Sequence, residues 1–198
     1  IIFDFDNTLV HNKDYNQKVI VNTLKRMGVE CSNEQAQRIW FEFGRLKTEL
    51  GLNDDEYKTF VKIFDLEDTE RYENTFLHDG VEQLNELPVK ISILTNAPKQ
   101  VFIKEFKAFK EKMPGLKIHS KIVCNPSQGL PGKPDPKGAN YLIEHMGLKK
   151  SEVLMVGDSI KDYKAAVNAG IKFYFINPQE KVEGVKVLKS LAELKELC

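Results

Sequence analysis

Over residues 79–198, short hydrophobic runs alternate with segments in which hydrophobic residues recur at helical spacing. A further hydrophobic run at residues 1–5 surrounds Asp4, as in a buried strand. Strands that alternate with helices form a parallel sheet with helices on both of its faces. The pattern therefore predicts an α/β fold with a Rossmann-like parallel sheet core. The other predicted strands cover residues 89–94, 118–124, 153–156 and 171–176.

Helices are predicted between these strands and at the end of the chain. Two of them, over residues 81–87 and 188–197, rest on leucine and valine residues spaced three apart. The others are predicted over residues 101–109, over residues 139–146 and in a segment that closes at Gly170.

Residues 12–78 carry only helical patterns. The second of three predicted helices runs to residue 50 with Ser32 or Asn33 as its N-cap, and Asn53–Asp55 begin the third. A helical block of this size is marginally stable alone, so we expect it to pack on the rest of the chain and to move against it as a lid. The predicted domains are an α/β core of residues 1–11 and 79–198 and a helical insertion of residues 12–78.

Composition narrows the classes of partner. Lys and Arg number 29, as do Asp and Glu, so the chain has no net charge and lacks the basic footprint expected of a binder of nucleic acid polymers. The longest apolar runs fall short of the roughly 18 residues that a membrane span requires, so no membrane association is expected. Cys31, Cys124 and Cys198 are scattered and odd in number, which favours a reducing, cytoplasmic location over a disulfide framework.

Polar residues follow four of the predicted strands. Because parallel strands end at the same edge of a sheet, we expect these side chains to meet there. Taken singly, each has another interpretation: Thr95-Asn96 as a helix cap, Lys133 as a solvated loop residue, and Asp158-Ser159 as an N-cap. Their joint occurrence favours a site. The residues are Asp4, Asp6, Thr95, Asn96, Lys133 and Asp158.

The residue types suit phosphoryl transfer. A carboxylate that attacks a phosphate monoester must overcome repulsion between two anions, so the site needs a cation and positive groups. The histidines lack the spacing of a zinc site, and carboxylates such as Asp4 and Asp158 are oxygen ligands for Mg²⁺. Lys133 supplies a point charge for the phosphate. Asp4 and Asp6 point to the same side of an extended chain, where one can attack and the other can move a proton; alternatively, Asp6-Asn7 only forms a turn.

The segments DFDNTLV, ILTNA, GKPDP and GDSIKDYKAAVNAG resemble the four motifs of the haloacid dehalogenase-like hydrolase superfamily, in their usual order. The resemblance extends over the whole chain, because residues 12–78 stand where members with an α-helical cap carry that cap. It implies that Asp4 is the nucleophile and forms an aspartyl-phosphate. It also implies that Asp6 is the general acid and base, and that its backbone carbonyl joins Asp4 and Asp158 as a metal ligand.

The same resemblance assigns supporting roles. Thr95 would bind a phosphoryl oxygen through its hydroxyl, beside backbone N–H groups near Asn96. Asp162 would bind metal waters or orient Lys133, and Thr8 would support Asp6. The second aspartate of the first motif favours phosphoryl transfer over dehalogenation, because a departing halide needs no proton.

The sequence thus predicts a Mg²⁺-dependent phosphatase of a small phosphorylated metabolite, monomeric or weakly dimeric. A phosphomutase of the same family and a non-catalytic phosphometabolite-binding protein are the alternatives. The substrate stays open, since the motifs are similar to those of phosphoglycolate-type and of pyrimidine nucleotide phosphatases. Polar residues near helix ends in the insertion are candidate substrate contacts, with a solvated surface as the alternative: Tyr15, Arg45, Lys47 and Arg71.

Overall fold

The structure is a computed structural model that describes residues 1–41, 44–67, 75–124, 129–178 and 180–196. The chain forms two units, one of Ile1–His11 with Phe76–Cys198 and one of Asn12–Thr75. The described strands are β1 (Ile2–Phe3), β2 (Val10–His11), β3 (Phe76–Leu77), β4 (Ser92–Thr95), β5 (Ser120–Val123), β6 (Leu154–Gly157), β7 (Lys172–Ile176) and β8 (Val187–Leu188). The described α-helices are α1 (Lys13–Arg26), α2 (Asn33–Phe41), α3 (Arg45–Leu50), α4 (Asp54–Glu67), α5 (Lys99–Lys112), α6 (Lys137–Met146) and α7 (Ile160–Ala169).

A parallel sheet of six described strands, in the order β5-β4-β1-β6-β7-β8, is the centre of the first unit. The chain builds one side of β1 with β4 and β5, and then crosses over to build the other side with β6, β7 and β8. This is the strand order of a Rossmann-like sheet, in which ligands bind at the carboxyl ends of the strands where the order reverses. The predicted α/β fold is confirmed.

Alternate residues of the first strand pack against opposite faces of the sheet, as the two-residue period of a strand requires. Phe3 joins a buried cluster that contains Phe102 and Phe109 of α5. Ile2 joins a second cluster that contains Leu142 of α6 and Ala166 of α7. The sheet is therefore covered by helices on both faces, also as predicted.

The second unit contains α1 to α4. Ser32 is confirmed as an N-cap, because its hydroxyl accepts from the Gln35 N–H at 3.1 Å while its own N–H donates to the Gln35 side chain at 2.9 Å. The predicted helix that ends at residue 50 is observed as α2 and α3, with Gly44 immediately before α3. Glycine is about 1 kcal/mol less favourable than alanine inside a helix, which is consistent with an interruption there. None of the described helices is long and apolar enough to cross a membrane.

The boundary between the units differs from the predicted one, which ended the insertion at residue 78. Val10 pairs with Leu77 and His11 pairs with Phe76 in an antiparallel ladder, so residues 76–78 belong with the α/β unit. Strands of two residues are too short to show an alternating pattern, which is why sequence periodicity missed them.

The C-terminal helix was predicted wrongly. Val187–Leu188 instead form the edge strand β8, which pairs with Phe175 and Ile176, and Leu191–Glu196 form a 3₁₀ helix; Leu197 lies outside the described residues. Residues three apart lie on one face of a 3₁₀ helix, so leucines at this spacing fit that helix as well as an α-helix. The predicted helix over residues 81–87 is likewise a 3₁₀ helix, Glu82–Glu86.

Replacing Gly80 with alanine is expected to destabilise the α/β unit by about 3 kcal/mol or more, because a clash adds to backbone strain. Gly80 has a φ of 83°, and a Cβ there would lie 2.3 Å from the Ala192 nitrogen. Gly147 is the matched control, since it has a φ of 66° but open space around a Cβ. Its replacement by alanine should cost only about 1–2 kcal/mol. Urea unfolding measures both; equal losses for the two variants would contradict the expectation.

Candidate active site

Asp4 directly follows β1, with its backbone N–H bonded to the Val156 carbonyl at 2.9 Å; the residue as a whole is 5% exposed. A turn follows, in which Asn7 takes a positive φ of 58°. The turn returns Thr8 toward the strand, and its hydroxyl donates to Oδ2 of Asp4 at 3.3 Å. Thr8 was predicted to support Asp6, but this hydrogen bond orients Asp4.

Lys133 extends from the loop before α6 into the same place and is 6% exposed. Its Nζ contacts Oδ1 of Asp4 and lies 2.6 Å from Oδ1 of Asp162. Burial acts to lower the pKa of Lys133, but the carboxylates of Asp162 and Asp4 outweigh it and hold that pKa above its ordinary value. Lys133 is therefore a permanent cation between two carboxylates.

Asp158 and Asp162 come from the junction of β6 and α7. Ser159 caps α7, and Oδ2 of Asp162 accepts from the Ser159 N–H at 3.0 Å and from its hydroxyl at 2.5 Å. This capping box leaves Oδ1 of Asp162 for the ion pair with Lys133. A Cβ on Gly157 would lie 2.6 Å from the Cβ and Cγ of Asp162, so only glycine leaves room for this side chain.

Three carboxylates converge beside Lys133. Asp4, Asp158 and Asp162 each offer an oxygen, and these atoms lie within 4.8 Å of one another. Burial, together with neighbouring carboxylates and against the pull of Lys133, raises the pKa of Asp4 to about 7. Burial and the carboxylates of Asp4 and Asp162 also raise the pKa of Asp158 well above its ordinary value. These three carboxylates carry more negative charge than Lys133 balances, and their oxygens are hard ligands. The cluster therefore fits a divalent cation such as Mg²⁺.

Thr95 ends β4 and Asn96 follows it, at the same edge of the sheet. The Thr95 hydroxyl is buried and accepts from the Ala97 N–H at 2.9 Å. The Asn96 carboxamide makes two hydrogen bonds to the main chain of Lys133. Both residues were predicted to bind substrate, with backbone N–H groups near Asn96 as the donors; the bonds of the Asn96 carboxamide to Lys133 were not predicted.

The remaining predicted residues are placed as follows. Asp6 is partly exposed just beyond Asp4, in a backbone bridge with Val10. In the helical unit, Arg45 pairs with Glu49 at 2.8 Å and Lys47 pairs with Asp54 at 2.5 Å, while Tyr15 packs against that unit's hydrophobic core. Arg71 lies outside the described residues. The ion pairs of Arg45 and Lys47 agree with the alternative of a solvated surface.

Sequence reasoning missed the contribution of Gly132 and Gly157. Both lie within predicted motifs, one place before a functional candidate, and both allow a side chain to approach the backbone closely. A glycine directly before a motif residue was the available signal, but the partner it admits is visible only in three dimensions.

Comparisons with known proteins agree on one family for this chain. The family model of haloacid dehalogenase-like hydrolases matches residues 1–176. PpaX from Clostridium perfringens, assigned as a pyrophosphatase, is 30% identical over 180 residues, which cover 87% of this chain and 80% of that protein. Phosphoglycolate phosphatase from Pseudomonas savastanoi is 25% identical over 185 residues, covering 86% of this chain and 66% of that protein.

Solved structures share the fold. A protein from Bacteroides fragilis, assigned as a haloacid dehalogenase-like hydrolase, matches with a TM-score of 0.80 at 20% identity, covering 98% of this chain and 97% of that chain. Likeness at this level of identity is evidence for the fold, and the chemistry has to be argued from the residues themselves.

Proposed function

Because this chain belongs to the haloacid dehalogenase-like hydrolase family, we propose that it is a Mg²⁺-dependent phosphatase that hydrolyses a phosphate monoester of a small metabolite. The phosphatase relatives support the predicted enzyme class, a haloacid dehalogenase-like phosphoric monoester hydrolase. One observation carries the proposal: the buried Lys133 ammonium contacts Asp4 and Asp162 at a sheet edge where Asp158 adds a third carboxylate.

The residues fit a metal ion. Asp4 and Asp158, with the backbone carbonyl of Asp6, would hold Mg²⁺, and Asp162 would act through Lys133 and metal-bound water. Mg²⁺, when bound, would neutralise part of the repulsion between the attacking carboxylate and the phosphate. The raised pKa values of Asp4 and Asp158 support this role, because burial and neighbouring carboxylates disfavour the two negative charges and Lys133 only partly offsets this.

Lys133 would attract and hold the phosphate. An ammonium has three N–H donors, and among the described residues at most two of them are engaged, by the hydrogen bond to Asp4 and the ion pair with Asp162. At least one donor remains for a phosphoryl oxygen. The Thr95 hydroxyl accepts a hydrogen bond from Ala97, so its own hydrogen can be donated to a second phosphoryl oxygen.

The proposed reaction has two steps. Asp4 attacks phosphorus, so that an Asp4–phosphorus bond forms and the bond from phosphorus to the leaving oxygen breaks; Asp6 donates a proton to that oxygen. Water then attacks phosphorus and Asp6 takes its proton, which releases inorganic phosphate and restores the Asp4 carboxylate. Thr8 would keep Asp4 in position for both steps through its hydrogen bond to Oδ2.

The helical unit is proposed as the cap that selects the substrate. It is inserted between β2 and β3, the place in the chain where members of the family with an α-helical cap carry it. The names of the relatives, a pyrophosphatase and a phosphoglycolate phosphatase, support a small phosphorylated substrate.

Metal dependence tests the proposal. We expect p-nitrophenyl phosphate to be hydrolysed with Mg²⁺, turnover to stop with EDTA, and excess Mg²⁺ to restore it. Mg²⁺ at 100 times its Kd should also stabilise the protein by about 2.7 kcal/mol, seen as a rise in Tm. In Asp158→Asn the Mg²⁺ concentration needed for half of the effect should rise by about tenfold or more.

Asp55→Asn is the matched control, because Asp55 is an exposed carboxylate whose side chain pairs with Lys58 in the helical unit. Its Mg²⁺ response should equal that of the wild type. Turnover in the presence of EDTA, or a Tm that does not change when Mg²⁺ is added, would contradict the proposed metal dependence.

A further inference from the structure

We propose that Asn96 is a positioning residue whose carboxamide fixes the main chain of Lys133 and thereby aims its ammonium at Asp4. The inference rests on the proposed function, because Lys133 matters for phosphoryl transfer only if that function holds. It assigns to the Asn96 side chain a role other than contact with substrate.

The two hydrogen bonds engage both polar groups of one residue. Nδ2 of Asn96 donates to the Lys133 carbonyl at 3.0 Å, and Oδ1 accepts from the Lys133 N–H at 2.8 Å. We call this pair the Asn96 clamp. A carboxamide offers a donor and an acceptor side by side, which a hydroxyl, a carboxylate or an ammonium does not. Two bonds fix the rotation of the Lys133 backbone as well as its position.

The backbone on either side of Asn96 is itself held by hydrogen bonds. The carbonyl of Thr95 accepts from the Cys124 N–H at 2.8 Å, and the Thr95 hydroxyl accepts from the Ala97 N–H at 2.9 Å, so the backbone on both sides of Asn96 is held. Gly132 completes the arrangement. A Cβ on Gly132 would lie 3.1 Å from Oδ1 and Nδ2 of Asn96, so glycine allows the carboxamide to pack against this backbone.

The other end of Lys133 explains why such a clamp matters. A lysine side chain has four carbon–carbon bonds about which it can rotate, so its ammonium is only as well placed as its backbone and its ion partners allow. Nζ is held by Asp4 and Asp162, and the Asn96 clamp holds the backbone. Misplacing a catalytic group by about 1 Å can cost roughly 100-fold in rate.

Asn96 is itself exposed, so replacing its side chain should alter the position of Lys133 without unfolding the sheet. In Asn96→Ala we expect kcat/KM for p-nitrophenyl phosphate to fall by about 10- to 100-fold, with a nearly unchanged Tm. Hydrogen exchange of the Lys133 backbone N–H with solvent, measured by NMR, should become faster. Asn168→Ala is the matched control, since Asn168 donates to the neighbouring Pro134 carbonyl at 3.1 Å; its activity and its Lys133 amide should resemble the wild type.

A double-mutant cycle separates positioning from direct contact. Lys133→Ala keeps the backbone that the clamp holds but removes the ammonium, so adding Asn96→Ala should cause little further loss. Because variants that lack the Lys133 ammonium are expected to have no turnover, the cycle is measured on affinity for inorganic phosphate. A further full loss in the double variant would overturn the proposal, because Asn96 would then act on the phosphate itself. Unchanged kcat/KM and unchanged amide exchange in Asn96→Ala would overturn it as well.

The two proposals fail in different ways. A wild-type protein that does not hydrolyse p-nitrophenyl phosphate with Mg²⁺ would contradict the proposed function, whereas amide exchange and phosphate affinity would still report on the clamp. An active wild type with an equally active Asn96→Ala variant would contradict the positioning role alone.

Discussion

Asp4→Asn is expected to lower kcat/KM for p-nitrophenyl phosphate by about 10⁴-fold or more, because removal of an enzyme's nucleophile leaves little of its catalysis. Asparagine has nearly the shape of aspartate, so its carboxamide oxygen can still accept from the Thr8 hydroxyl, but a neutral amide does not attack phosphorus. Turnover with saturating Mg²⁺ measures the loss, and mass spectrometry of the intact protein should detect no phosphorylated enzyme.

The same substitution should leave the metal-free protein at least as stable as the wild type. Burial raises the pKa of Asp4 to about 7, which means that the fold disfavours its negative charge at neutral pH. A neutral asparagine removes that charge. Thermal unfolding without Mg²⁺ tests this expectation and shows at once whether the variant is folded. Activity within tenfold of the wild type would exclude Asp4 as the nucleophile.

The main features of the fold could be predicted because each depends on a short, continuous stretch of the sequence. Every central strand is a short apolar run that ends in a polar residue, as at Asp4, Thr95 and Asp158, and the rule that parallel strands end at one edge brings these residues together. The confirmed predictions, the α/β fold and the family, depend on this local information. The catalytic and metal-binding roles of the residues stay predictions.

Features that depend on contacts between distant segments could not be predicted. The strands β2 and β8 have two residues each, so they are strands only because their partners pair with them. Asn96 and Lys133 are 37 residues apart, and no sequence pattern indicates that the amide of one binds the backbone of the other. Thr8 was assigned to Asp6 by family position, whereas the turn directs its hydroxyl to Asp4.

Lys133→Met is expected to abolish turnover and to destabilise the metal-free protein by about 3–5 kcal/mol, the usual effect of removing one partner from a buried ion pair. Methionine fills a similar volume, so the loss would arise from charge. Asp4 and Asp162 would keep their burial and lose the cation that contacts both. Lys195→Met is the matched control, because Lys195 pairs with Glu86 at the surface; its cost should be about 0–1 kcal/mol.

The destabilisation should be larger at pH 8 than at pH 5. A carboxyl group whose pKa is raised by folding binds a proton more tightly in the folded state, so the folded state gains stability as pH falls toward the unfolded pKa. Burial already raises the pKa of Asp4 to about 7 and that of Asp158 well above its ordinary value, and both would rise further without Lys133. At pH 5 Asp4 carries a proton, which relieves much of the repulsion; at pH 8 a larger share of the repulsion remains.

A second substitution separates charge from packing in this variant. Adding Asp162→Asn to Lys133→Met removes one of the carboxylates that has lost its cation. It should recover part of the lost stability at pH 8 and less at pH 5, where the protonated Asp4 no longer repels it, while turnover stays absent. Urea unfolding of the wild type, Lys133→Met and the double variant at both pH values gives the six free energies of unfolding that are compared. A cost that is the same at pH 5 and pH 8, and that Asp162→Asn does not reduce, would mean that Lys133 stabilises the fold by packing and not by balancing the charge of the site.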